Sequence, residues 1–166
     1  MPKFVLIFSL LTFIACDDGD FEIPSFEFES NLNSCGTYVL YRTNAAATEA
    51  FIITLSDLEI LQEETTTPIE VSIEESNTQY RIFDTAVSSD YFCADVPPIE
   101  PVVIRNWQAV AGVSNFISIE TIAIYDINNE LTGYEHTINL QNLVLESNGE
   151  TLTYENYFFG SFTTNL

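Results

Sequence analysis

Apolar and polar residues alternate with a period of two along most of this chain, and clusters of Asn, Gly, Pro and Ser separate the alternating runs. That period marks strands with one buried face. Val, Ile, Thr, Tyr and Phe, which fit a pleated surface, dominate the runs. Helical spacing is scarce. Nine strands are expected, over 21–29, 37–43, 49–56, 69–74, 78–84, 102–111, 116–126, 132–146 and 150–159. Pro24 confines the first to a sheet edge, because proline cannot donate to a ladder. Phe51-Ile52-Ile53-Thr54-Leu55 is apolar on both sides, as for a central strand covered on two faces or a strand whose outer face meets a loop. Residues 58–64 read as a short helical or irregular crossing.

Two hairpins close the chain. Asn148-Gly149 is the preferred pair for a type I′ turn, and Asn128-Asn129 serves the preceding hairpin. The long strands change buried side along their length. Ile117 and Ile119 share a face with Thr121, whereas Ile122 and Ile124 lie on the other. Tyr134, Ile138 and Leu140 give way to Leu143 and Leu145. Bulges near Glu120 and Asn142 are therefore expected, each bending a strand over a second sheet. Three prolines forbid regular pairing in 84–101, where one helical turn started by Ser88 or Ser89 should precede an ordered surface loop pinned by Cys93. The economical architecture is all-β: one antiparallel β-sandwich, jelly-roll-like in preference to immunoglobulin-like, because Trp107 follows both Cys35 and Cys93 instead of lying between them.

Residues 1–15 depart from strand grammar. Lys3 precedes an apolar run from Phe4 to Ile14, and Ala15 leads to Cys16. This reads as a signal peptide, too short to span a bilayer. Cutting after Ala15 by an ordinary signal peptidase would place the bulky Phe13 where a small residue is wanted. Phe13-Ile14-Ala15-Cys16 instead resembles a bacterial lipobox, with Phe13 where that motif usually carries Leu. The resemblance implies that Cys16 becomes the acylated first residue of the mature chain. Asp17-Asp18-Gly19-Asp20 resembles the acidic export signal of surface lipoproteins of the Bacteroidota type, without a basic residue before the acids. It implies an outer-membrane anchor and leaves open which face the protein occupies. The organisation is thus a signal peptide over 1–15, a tether over 16–20 and a β domain over 21–166.

Charge narrows the partners. Against 25 acidic residues stand 4 basic ones, a formal charge of -21, which excludes binding that runs on cationic contacts to phosphates. Loss of the signal peptide leaves Arg42, Arg81 and Arg105 as the cations, and each is expected to pair with carboxylates. With Cys16 acylated, Cys35 and Cys93 remain as an even pair in an oxidising compartment, and a disulfide between them is expected.

The chain, 166 residues with 13% aromatics, is long enough for one core but offers little recognisable chemistry. It has no Gly-x-Ser-x-Gly, phosphate-cradling glycine loop or His-Glu-x-x-His. His136, the single histidine, reads as a hydrogen-bonded sheet residue. Glu120 and Glu135 are the least loop-like carboxylates for glycoside chemistry, but a pair drawn from so many acids carries no weight. No catalytic residue is assigned. Trp107, Tyr91, Tyr134 and Tyr157 are the aromatics to test as an exposed ligand platform. Asp126, Asn128 and Glu130 could offer oxygens to calcium at a hairpin tip, where a simple turn is the plainer reading. The expectation is a non-catalytic, acylated envelope protein acting as a binding or protein-interaction module, without a required cofactor. The alternative is a glycan-binding module, calcium-assisted or not, of an uptake system.

Overall fold

The computed structural model describes residues 26–28, 31–36, 38–74, 77–112 and 114–166. Among the described residues nine antiparallel strands form the fold: β1 (Asn33–Cys35), β2 (Val39–Thr43), β3 (Glu49–Thr54), β4 (Ile69–Ser72), β5 (Thr78–Phe83), β6 (Val103–Ala109), β7 (Phe116–Tyr125), β8 (Leu131–Ser147) and β9 (Glu150–Asn165). One helical turn, α1 (Asp90–Cys93), lies between β5 and β6. The order is β1-β2-β3-β5-β6-β8-β7-β4, with β9 on the other side of β8.

The long strand β8 joins two layers. Its first part pairs with β7, from Leu131↔Tyr125 to Gln141↔Phe116. Its last part pairs instead with β6, through Leu145↔Ala109 and Glu146↔Gln108. The strand β9 pairs along both parts, from Gly133↔Asn165 to Ser147↔Glu150. The change comes at Asn142, which has a left-handed φ of 52° and no ladder partner between Gln141↔Asn156 and Leu143↔Tyr154. Asparagine tolerates that conformation better than most residues. Tyr134, His136, Ile138 and Leu140 are buried before it, and Leu143 and Leu145 after it. The change of side comes where expected, but as a local break in pairing at Asn142 with the register kept; the register of β8 against β9 shifts earlier, between Ile138 and Asn139. The change of side lets one strand line the core from both layers. Leu40, Phe51, Ile53, Tyr80 and Trp107 come from the first layer, and Ile117, Ile119, Ile138 and Leu140 from the second. Burying each such side chain contributes about 1.5–3 kcal/mol. The result is an all-β sandwich-like fold. Among the described strands β1, β2 and β3 follow one another as neighbours, whereas β4 leaves to pair with β7 before β5 returns beside β3, and the connection from β6 to β7 passes between strands that both pair with β8.

Eight of the expected strands are present with shifted ends; β9 runs on past 159 to Asn165. Three expectations change. Within 21–29 the described residues 26–28 form no strand. Phe26 instead turns with a φ of 51° and packs its ring against Phe51, Tyr80, Tyr154 and Tyr157, with Phe28 buried beside it. Arg42 holds this segment by donating to the carbonyls of Phe28 and Phe159. The strand at this end is β1, whose Asn-Ser-Cys sequence carries no alternation to betray it. Lastly, the β7–β8 register runs without a break past Glu120 and shifts only between Ile124 and Tyr125. The apolar pattern misled there because Thr121 stays buried, its hydroxyl satisfied by His136 Nδ1 at 2.9 Å.

Candidate functional site

Because Phe51 and Ile53 point into the core, Ala50, Ile52 and Thr54 face outward from the first layer. Residues directly opposite on antiparallel strands share a face, so the register extends this surface across the sheet. One row runs Ile52, Gln79, Gln108, Glu146; the next runs Ala50, Arg81, Asn106. The surface is apolar toward β2 and polar toward β8.

The apolar end is covered by residues 84–101. Ala50, Phe83 and Val87 form a second small core, with Ile52, Tyr91, Phe92 and Val103 packed against it. Phe92 stacks on Tyr41 with ring centroids 4.0 Å apart, and Tyr91 meets Phe83 edge-on at 5.0 Å. The α1 turn follows Ser89, as expected, although the serine side chain makes no capping hydrogen bond. The expected disulfide joins Cys93 to Cys35 of β1, Cα–Cα 5.1 Å. It staples the loop to the sheet. The double-sided apolar run of β3 is thus explained by a loop on its outer face.

Two concavities lie where the cover stops. The smaller, about 220 Å³, is lined by Ile52, Thr54, Asn77, Gln79 and Arg81 of the sheet and by Tyr91, Phe92 and Pro97 of the loop. Arg81 donates to Gln79 Oε1 at 2.6 Å and to the Tyr91 hydroxyl at 3.4 Å. The larger, about 450 Å³, is lined by Asn106, Gln108, Val110, Glu146, Ser147 and Asn148. The buried Oδ1 of Asn106 has no hydrogen-bond partner, which costs about 1–3 kcal/mol for a neutral group. Another concavity of about 450 Å³, bordered by Tyr38, Asp57, Ile60 and Phe162, lies elsewhere.

The four aromatics singled out from the sequence do not form a platform. Trp107 is 1% exposed, a core residue with the Arg105 guanidinium 4.5 Å from its ring centroid. Tyr134 is buried too. Tyr157 packs in the aromatic cluster around Phe26 and Phe51, and burial, opposed by the Arg42 charge, pushes its hydroxyl up to about 12. Strand-spaced aromatics go to the core because they carry the largest apolar area. Tyr91 alone borders a concavity of the outer face.

Asp126 works as the turn residue of the β7–β8 hairpin. Its Oδ1 accepts from the backbone N–H groups of Asn128 and Glu130 at 2.9 and 2.8 Å, and its Oδ2 from the Asn128 amide. The Glu130 amide, then those of Asn128, hold its carboxyl below the usual range. Among the described residues no group of three or more His, Cys, Asp and Glu side chains is placed to hold a metal. His136 is a buried sheet histidine, Nδ1 on Thr121 and Nε2 on Thr164, both at 2.9 Å, with burial lowering its pKa. Glu120 and Glu135 lie on the outer side of β7 and β8, at neighbouring rungs and away from both outer-face concavities. Cys16 and the tether lie outside the described residues.

The arginines depart from expectation in one respect. Arg105 pairs with Glu150. Arg81, by contrast, has only the neutral Gln79 and Tyr91 as partners among the described residues. Gln79, Asn106, Gln108 and Glu146 were not singled out from the sequence, because their meeting depends on a register that no local pattern encodes. Among the described residues no helix is long and apolar enough to cross a membrane. Compared with known protein families, curated proteins and solved structures, the chain matches none.

Proposed function

We propose that this protein is a non-catalytic, acylated module of the outer membrane, anchored through Cys16, that binds a ligand or partner protein on the outer face of its first layer. The observation that carries the reading is the convergence on one face of a disulfide-stapled loop, two concavities and a buried amide oxygen without a partner. Rigid concave surfaces with a few convergent polar groups are where ligands bind. A non-catalytic role is supported by the state of His136, whose two ring nitrogens are both engaged by threonine hydroxyls. Anchoring is supported by the lipobox-like Phe13-Ile14-Ala15-Cys16 and the acids that follow it.

The test is site-specific photocrosslinking in native membranes, with the reactive group at Gln108 in one form and at Glu120 on the opposite layer in another. Adducts from Gln108 that are absent from Glu120 are expected. Equal yields at both positions, or none, would overturn the assignment of the face. Globomycin should make the precursor accumulate and Cys16→Ser should abolish acylation; acyl incorporation that survives both removes the anchor.

A second reading rests on the amide-rich lining of the larger concavity, where Asn106, Gln108 and Asn148 both donate and accept. Such groups complement sugar hydroxyls, so a glycan ligand is the alternative. A glycan screen on the full-length protein, with and without calcium, is expected to give binding that Gln108→Ala weakens; binding indifferent to that change counts against it.

A further inference from the structure

In a chain with 25 acidic residues against 4 basic ones, a half-buried cation with no carboxylate partner among the described residues calls for an explanation. Arg81 is such a cation. It stands mid-strand in β5, faces outward, and lines the small concavity between the sheet and the stapled loop. Its two contacts, to Gln79 Oε1 and the Tyr91 hydroxyl, leave guanidinium donors over, because the group carries five N–H bonds in a planar fork. The rest of the wall is divided in character. Asn77, Gln79 and Thr54 are polar, whereas Val39, Ile52, Phe92 and Pro97 are apolar.

We infer that this concavity is a binding site for a small monocarboxylate with an apolar body, its carboxylate held by the Arg81 guanidinium and its body against Phe92, Ile52 and Pro97. The inference deepens the binding-module reading and rests on it for the choice of face. Three features favour this class of ligand. The fork geometry of arginine matches the two oxygens of a carboxylate, and such charge-assisted pairs are about twice as strong as neutral hydrogen bonds. A volume of about 220 Å³ suits a molecule of a few tens of atoms at most, not a polymer. The stapled loop also fixes Tyr91 and Phe92 before any ligand arrives, which reduces the entropy lost on binding. Repulsion from the acidic surface weakens beyond about 8 Å at physiological ionic strength, so it does not forbid an anion in direct contact with Arg81.

The experiment uses two probes of the same size that differ only in the terminal group, N-acetylphenylalanine with its carboxylate and the neutral N-acetylphenylalanine amide, titrated into the full-length protein by calorimetry at physiological salt. The carboxylate is expected to bind at least about tenfold more tightly than the amide, the margin of one charge-assisted pair. Arg81→Gln should abolish that preference while the melting temperature shows that the fold is retained. Arg81→Lys, which keeps the charge and loses the fork, should weaken the carboxylate several-fold, and it serves as the variant if the glutamine form does not fold. Equal affinity for the two probes, no binding of either at millimolar concentration, or a preference untouched by both substitutions would overturn the site. If the carboxylate site fails while Gln108 still gives face-specific adducts, the binding module stands without it; loss of both removes the face altogether.

Discussion

His136 shows how much one buried side chain sets. With no exposed surface, it hangs between Thr121 and Thr164 and lies tilted against Phe162 at 4.9 Å. Burial holds its pKa below the ordinary imidazole value of about 6.5. The unfolded chain therefore binds the proton first. The stability from this group is fully present above that value and is lost as pH falls below it toward the folded pKa. A His136→Asn form should be less stable at neutral pH, yet its melting temperature should fall less between about pH 7.5 and pH 5.5. The carboxylates are common to both proteins, so the difference between their profiles isolates the imidazole; parallel profiles would refute it. Gly133 gives a second residue-scale expectation. A Cβ there would collide with the carbonyl oxygen of Thr164 on the neighbouring strand. Gly133→Ala should destabilise the fold by roughly 1–3 kcal/mol in denaturant unfolding, the usual range for forced overpacking.

Among the elements, the loop over 84–101 owes its place to one covalent link and two aromatic rings. The disulfide closes a sequence separation of 58 residues, worth about 4 kcal/mol in the chain-entropy description. Replacing Cys35 and Cys93 together by serine should cost a stability of that order. It should also speed amide exchange at 90–93 well before it affects β8, because the loop rests on a small core of its own. Uniform loss of protection would mean that the loop and the sandwich unfold together. The bend of β8 depends on the local conformation of Asn142, whose side chain also donates to the Ser114 carbonyl at 2.8 Å. Asn142→Val places a β-branched residue at positive φ and removes that bond, a change expected to cost about 2 kcal/mol by denaturant unfolding.

At the scale of the whole molecule, charge is the governing property. A formal charge of -21 on a chain of this length opposes its own compaction. Salt shortens the Debye length from about 30 Å at 0.01 M to about 8 Å at 0.15 M. The melting temperature should therefore rise across that range and level off beyond it. A flat response would show that the acids are spaced widely enough not to interact. The same surplus gives the arginines their value. Arg105 pins the start of β9 through Glu150, Arg42 holds the aromatic segment at residues 26–28 to the sandwich, and Arg81 faces the outer concavity with neutral partners.

Local pattern in the sequence was enough to place eight of the strands, both hairpin turns, the helical turn near Ser89, the disulfide and the bend at Asn142. Each of these is decided within a few residues, by side-chain alternation, turn chemistry or the count of thiols. Local pattern failed at Thr121, whose burial depends on a histidine from the next strand, at residues 26–28, which pack as an aromatic plug instead of a strand, and at β1, which carries no alternation. What only the tertiary structure decided is which strands lie side by side. Once β3, β5, β6 and β8 are in register, Gln79, Arg81, Asn106, Gln108 and Glu146 share one face, although each alone reads as an ordinary polar position on a strand. Trp107, the most conspicuous residue in the sequence, went to the core because its apolar area outweighs its one polar atom. Alternation encodes the side on which a residue lies, but pairing between distant strands depends on the packing of the whole chain, and the candidate site exists only through that pairing.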